Sequence, residues 1–167
     1  NYVTTNSVQF ITEAKTFSKD LRVNAFTVGR GGGNFASNTA FGNSALSLNT
    51  TGGTNNTAIG SGSLSSNTSG GSNTAIGKGS LNTNSTGSSI TAIGMNALEN
   101  NTTGSNNTAI GGGALSTNST GELNTAIGYL ANVGSNNLTN ATAIGAVAIV
   151  ASASTIQLGN SAVKNVK

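Results

Sequence analysis

A four-residue phrase, Thr-Ala-Ile-Gly, returns along the chain at residues 57–60, 74–77, 91–94, 108–111, 125–128 and 142–145, after a Phe variant at 39–42. The threonines are spaced by 18 residues once and then by 17 five times. So short and regular a period predicts a coiled, repetitive β-architecture. Counting from each Thr, the next residue is Ala in all seven copies: Ala40, Ala58, Ala75, Ala92, Ala109, Ala126 and Ala143. The following one is large and apolar: Phe41, Ile59, Ile76, Ile93, Ile110, Ile127 and Ile144. Six residues after the Thr sits a small residue, Ala or Ser, and seven after sits Leu46, Leu64, Leu81, Leu98, Leu115 or Ile149. Copy six departs, with Asn132 there and Leu130 two places earlier.

An Asn-(Thr/Ser)-(Thr/Ser)-Gly return then leads to the next copy, as in Asn101-Thr102-Thr103-Gly104; copies six and seven lose that Gly. Gly and Asn tolerate positive φ and suit corners. Leu and Ile do not recur at three or four residues, and Gly with β-branched residues is poor helix material. The expected fold is all-β: a parallel β-roll or solenoid of about seven 17-residue coils, two brief strands per coil, stacked at about 4.8 Å into a rod section of roughly 30 Å.

Adjacent strand residues point to opposite faces. If Ala and Ile share a strand, each face carries an unbroken apolar ladder, and strands apolar on both sides occur where both sides are covered. A symmetric oligomer supplies that cover. The expected core is Ile59, Ile76, Ile93, Ile110, Ile127 and Ile144, with Leu64, Leu81, Leu98 and Leu115. Ala58, Ala75, Ala92, Ala109, Ala126 and Ala143 are the candidates to face partner chains. The alternative is a monomeric solenoid with Ala as a small surface residue beside a one-sided core.

On these residues the repeat resembles the Val-Ala-Ile-Gly repeat of YadA-type trimeric adhesin heads, over about residues 38–150. The resemblance implies a homotrimer of left-handed parallel β-rolls, although that family's usual repeat is shorter. The phrase from Leu21 to Gly31 and the phrase from Ile156 to Ser161 resemble tail-fibre-like proteins of phages and bacteria. In those, the second phrase commonly precedes a self-removing C-terminal chaperone domain. A chain ending at Lys167 would suit a processed fibre.

Three regions are expected. Residues 1–36 hold alternating Val8 and Phe10, and Leu21, Val23 and Ala25, and read as strands of a connector or of a small independent β-domain, ending in a flexible Gly31-Gly32-Gly33. Residues 37–150 are the repeat. Residues 151–167 give one strand, Thr155 to Leu158, and a tail leading toward a further C-terminal region. Asn precedes the Thr in five copies, at Asn38, Asn56, Asn73, Asn107 and Asn124, and predicts stabilising side-chain ladders.

Charged residues are 7% and aromatics 4%, so the surface must be mostly Asn, Thr, Ser and Gly; phased Ile and Leu argue against disorder. The +3 charge is scattered, without a basic run or interleaved aromatics, so nucleic-acid binding has little support. No apolar run of about 18 residues occurs, so no membrane insertion by this segment is expected. Asn1 is not an initiator Met, which leaves room for a signal or virion-attachment segment upstream.

There is no His and no Cys, and the carboxylates are few and dispersed, so an enzyme is not expected. The repeat lacks the recurrent Asp of calcium-binding rolls, and neither Gly triplet is followed by Lys-Ser or Lys-Thr. No cofactor or metal is expected. The Asn-x-Ser/Thr triplets arise from the repeat itself.

The resemblance implies an extracellular attachment role, on a virion tail or a bacterial surface, toward a glycan or protein receptor. The returns are candidate contact surfaces. A second possibility is ice binding by the file Thr57, Thr74, Thr91, Thr108, Thr125 and Thr142.

Overall fold

The computed structural model describes residues 21–23 and 26–160. They form a parallel β-solenoid of about seven turns, roughly 17 residues apart. Twelve strands occur among them: β1 Leu21–Val23, β2 Phe26–Gly29, β3 Thr39–Asn43, β4 Thr57–Ile59, β5 Thr74–Ile76, β6 Thr91–Ile93, β7 Thr108–Ile110, β8 Thr125–Ile127, β9 Asn132–Val133, β10 Thr142–Ile144, β11 Ile149–Val150 and β12 Ile156–Leu158. Ten make one sheet in the order β1-β2-β3-β4-β5-β6-β7-β8-β10-β12.

From β3 onward the pairing is parallel and in register, Thr on Thr, Ala on Ala and Ile on Phe or Ile. The sheet closes on β12, where Ile156, Gln157 and Leu158 stand opposite Thr142, Ala143 and Ile144. Gln157 takes the place of the inward Ala and turns its Nε2 to the Gly159 carbonyl, a polar stopper over the last coil.

The entry is antiparallel. β1 and β2 form a hairpin, and β2 pairs with β3, so this stretch shares the sheet of the repeat. Phe26 meets Phe41 edge to face, with ring centroids 4.8 Å apart. Gly31–Gly33, expected as a flexible join, lie against the first coil. The Gly32 amide donates to the Leu46 carbonyl at 2.7 Å, and a Cβ at Gly31 would come 2.7 Å from that same oxygen. The strand expected around Val8 and Phe10, the burial of Leu21, Val23 and Ala25, and the tail from 161 lie outside the described residues.

Each of the first five coils has one strand, where two were expected. The chain at Leu46, Leu64, Leu81, Leu98 and Leu115 is left-handed, φ between +48° and +52°. That turns the backbone out of a ladder and drives the Leu side chain inward, where all five are fully buried. Left-handed Leu is uncommon and costs conformational energy; complete burial of an aliphatic side chain, about 1.5–3 kcal/mol, offsets it. At the equivalent position of coils six and seven, Asn132 and Ile149, the backbone is extended instead. β9 and β11 pair there as a separate two-stranded sheet, and Val133 and Val150 fill the core. Ile149, placed by its spacing in the Leu series, is 54% exposed.

The two ladders of the strand are reversed from expectation. Ala58, Ala75, Ala92, Ala109, Ala126 and Ala143 are fully buried inside the coil, while Ile59, Ile76, Ile93, Ile110, Ile127 and Ile144 face outward. Strand alternation puts the two on opposite faces without saying which is inner. The Leu side chains and two rows of Asn already occupy the narrow interior, and a methyl group is what remains to be placed.

Both Asn rows are hydrogen-bonded along the rod. In the row preceding the Thr, the backbone amides of Asn56, Asn73 and Ile90 donate to Oδ1 of Asn38, Asn56 and Asn73; Asn124 and Ala141 do the same to Asn107 and Asn124. In the second row, formed by the first residue of each return, Asn67, Asn84, Asn101 and Asn118 each donate Nδ2 to the preceding Oδ1 at 2.8–2.9 Å. Gly carbonyls tie the rows together: Gly70 accepts from Asn56 and Asn67, and Gly87 from Asn73 and Asn84. Among the described residues no buried side-chain polar atom lacks a partner.

The Gly that closes the phrase is required twice over. At Gly77 φ is +131°, and an added Cβ would come 2.5 Å from the Gly94 carbonyl of the next coil. Neither condition admits a side chain.

Candidate interaction surface

The outer face of the long sheet carries two parallel files. Thr57, Thr74, Thr91, Thr108, Thr125 and Thr142 are half-buried along one line. Beside them run Phe41, the six Ile residues and Leu158, each between 36% and 49% exposed. Strands three residues long with pattern half-buried, buried, exposed present only these two side chains outward. The result is an unbroken apolar stripe of eight residues, one from each strand of the long sheet between β3 and β12. Apolar residues scattered singly on a surface need no explanation, but a contiguous patch marks a contact site.

Further apolar residues stand beyond the next corner: Met95 is 60% exposed, Tyr129 62%, Leu130 40% and Val147 43%. They do not repeat from coil to coil, and the periodicity gave no cue to them.

The returns, the candidate contact surfaces of the sequence, are tight tiers. Their Asn residues, Asn49, Asn67, Asn84, Asn101 and Asn118, are wholly buried and spent on the second row of hydrogen bonds. Thr68, Ser85, Thr102 and Ser119 are half-buried, and Thr68 Oγ1 donates to the Ser85 carbonyl at 2.9 Å. What remains exposed is a file of second hydroxyls at Thr51, Ser69, Thr86, Thr103 and Thr120. The glycosylation triplets divide on the same basis: Asn101 is sealed inside, whereas Asn55, Asn100 and Asn106 are exposed.

The second Asn row was legible in principle. Asn stands ten residues after the Thr in each of the first five copies, a recurrence as strict as that of the Ala. Among the described residues no cluster of three His, Cys, Asp or Glu side chains is placed to hold a metal ion, and no helix is long and apolar enough to cross a membrane. Comparison with known proteins finds no matching family model, no matching curated protein and no matching solved structure.

Proposed function

We propose that the chain is a non-catalytic segment of a homotrimeric fibre, with the Ile file of each chain turned toward its two partners. The single observation that carries this is the unbroken, in-register apolar stripe on the outer face of the sheet. A stripe of that kind at the surface of an otherwise Asn-, Thr- and Ser-covered rod is best explained by cover from identical stripes around a closed axis. On this reading the rolls are left-handed, as the resemblance to trimeric adhesin heads implies. The rod works outside the cell, on a virion tail or a bacterial surface, and holds a glycan or protein receptor through weak contacts multiplied by three.

Because the chain has no Cys, one introduced thiol reports on one place. Ile93→Cys should react with a maleimide far more slowly than Thr103→Cys, and mild oxidation should join chains through position 93 only. Equal rates at the two positions would remove the support for a covered stripe.

A second reading has its own observation. Thr and Ile project together from a parallel, in-register sheet with strands about 4.8 Å apart, a regular array able to order water. That reading is an ice-binding solenoid acting as a single chain, and thermal hysteresis of freezing measured on the purified protein separates the two.

A further inference from the structure

Residues 39–150 contain only three charged side chains, Lys78, Glu99 and Glu122. Two of them line one groove. It lies on the outside of coils two to four, with a volume of about 350 Å³. Its floor is Gly62 and Gly79, both with φ near +70°, where the chain turns left-handed; Asn82 Nδ2 stands 3.2 Å from where a Cβ on Gly62 would be. The next coil places Asn96 at the equivalent position, and its Oδ1 lies over Gly79.

The polar groups around the groove are only partly spent. Asn82 uses its two amide protons on the Gly62 carbonyl at 3.0 Å and Ser65 Oγ at 2.8 Å, which leaves its Oδ1 as an acceptor. Lys78 and Glu99 have no ion-pair partner among the described residues. Ser61 contributes a hydroxyl, and no aromatic or large apolar side chain lines the wall. One cation, one carboxylate and interleaved neutral donors and acceptors do not suit an apolar ligand. Nor do they suit a multiply charged phosphate, because beside Glu99 the single Lys78 ammonium can offset one ligand charge and no more.

We propose that this groove is a binding site for a short saccharide carrying a carboxylate. The ligand's single negative charge meets the Lys78 ammonium, and its hydroxyls donate to Glu99 and to Asn82 Oδ1. The volume stands at the lower end of the range for small-ligand clefts, which matches one or two sugar rings. This deepens the attachment reading by naming a receptor chemistry. The groove is complete within one chain, so it does not depend on the number of chains in the assembly.

Saturation-transfer NMR on the full chain tests it with three probes: 3′-sialyllactose, digalacturonate and neutral lactose. The expected result is saturable transfer to at least one of the two acids and none to lactose. Which acid binds separates a sialylated from a uronic-acid source. Lys78→Ala should weaken that binding by about tenfold or more, the loss of one charge-assisted hydrogen bond, and Glu99→Gln should weaken it less. Circular dichroism of both variants should match the parent, because neither side chain belongs to the core. Failure of both acids to bind, equal transfer to lactose, or undiminished binding by Lys78→Ala would each overturn the proposal. The chain count by light scattering is independent of sugar, so loss of this site leaves the fibre reading standing, and the reverse holds as well.

Discussion

Asn84 illustrates how a polar interior holds this rod together. Its Nδ2 donates to Asn67 Oδ1 and the Gly87 carbonyl, and its Oδ1 accepts from Asn101. Asn84→Ala removes all three and strands a buried donor on Asn101. Each unsatisfied buried group costs about 1–3 kcal/mol, so the variant should lose at least ~2 kcal/mol in urea unfolding; an unchanged midpoint would mean the rows contribute nothing. The reverse substitution is more discriminating. Ile90 interrupts the first row: Gly104 accepts from Asn101 alone, where Gly87 and Gly121 each accept from two Asn side chains. A buried Ile→Asn change leaves polar groups unpaired in an ordinary core, at several kcal/mol. At Ile90 the new amide should find the Gly104 carbonyl and the Asn107 backbone amide. Ile90→Asn should therefore shift stability by less than about 1 kcal/mol, and a loss several times larger would contradict the ladder account. The Asn that precedes the Thr in five copies was readable as a ladder residue from its recurrence. The direction of the Ala and Ile side chains was not, because a period of two assigns opposite faces and leaves inner and outer open.

At the scale of one coil, the sequence carries the period, the corners and the parallel stacking, since Thr-Ala-Ile-Gly cannot pair with its own copies in any other register without losing the Gly-on-Gly contact. The Gly77 corner tests this. Gly77→Ala forces a Cβ into the Gly94 carbonyl at a φ reserved for Gly, and should cost at least ~2 kcal/mol of stability from strain alone; melting followed by circular dichroism checks it. A full wild-type melting profile would mean that the coils stack less closely than described. The second strand expected in each coil was not legible as absent, because nothing about a Leu announces a left-handed backbone. The clue lay in the exceptions: where Leu gives way to Asn132 or Ile149, the chain runs straight and pairs as β9 and β11. The element boundaries therefore changed at the point where the repeat drifts.

Over the whole molecule, the interior of the roll is complete without a partner, and the outer stripe is where the proposed partner chains would pack. Substitutions there should separate folding from assembly. Ile93 is 37% exposed in the single chain, so Ile93→Asp should leave the β circular-dichroism spectrum largely intact while breaking chain association. Leu98→Ala, at a fully buried position, should instead lower stability by about 2–5 kcal/mol whatever the chain count. The fold class followed from the repeat, because a strict period leaves few alternatives. The number of chains did not, because covered and uncovered stripes have the same sequence. Multi-angle light scattering of the parent chain in dilute buffer reads that distinction directly. A molar mass of three chains, falling to one in Ile93→Asp, is the predicted result; a stable single chain with its Ile stripe in water would contradict the account.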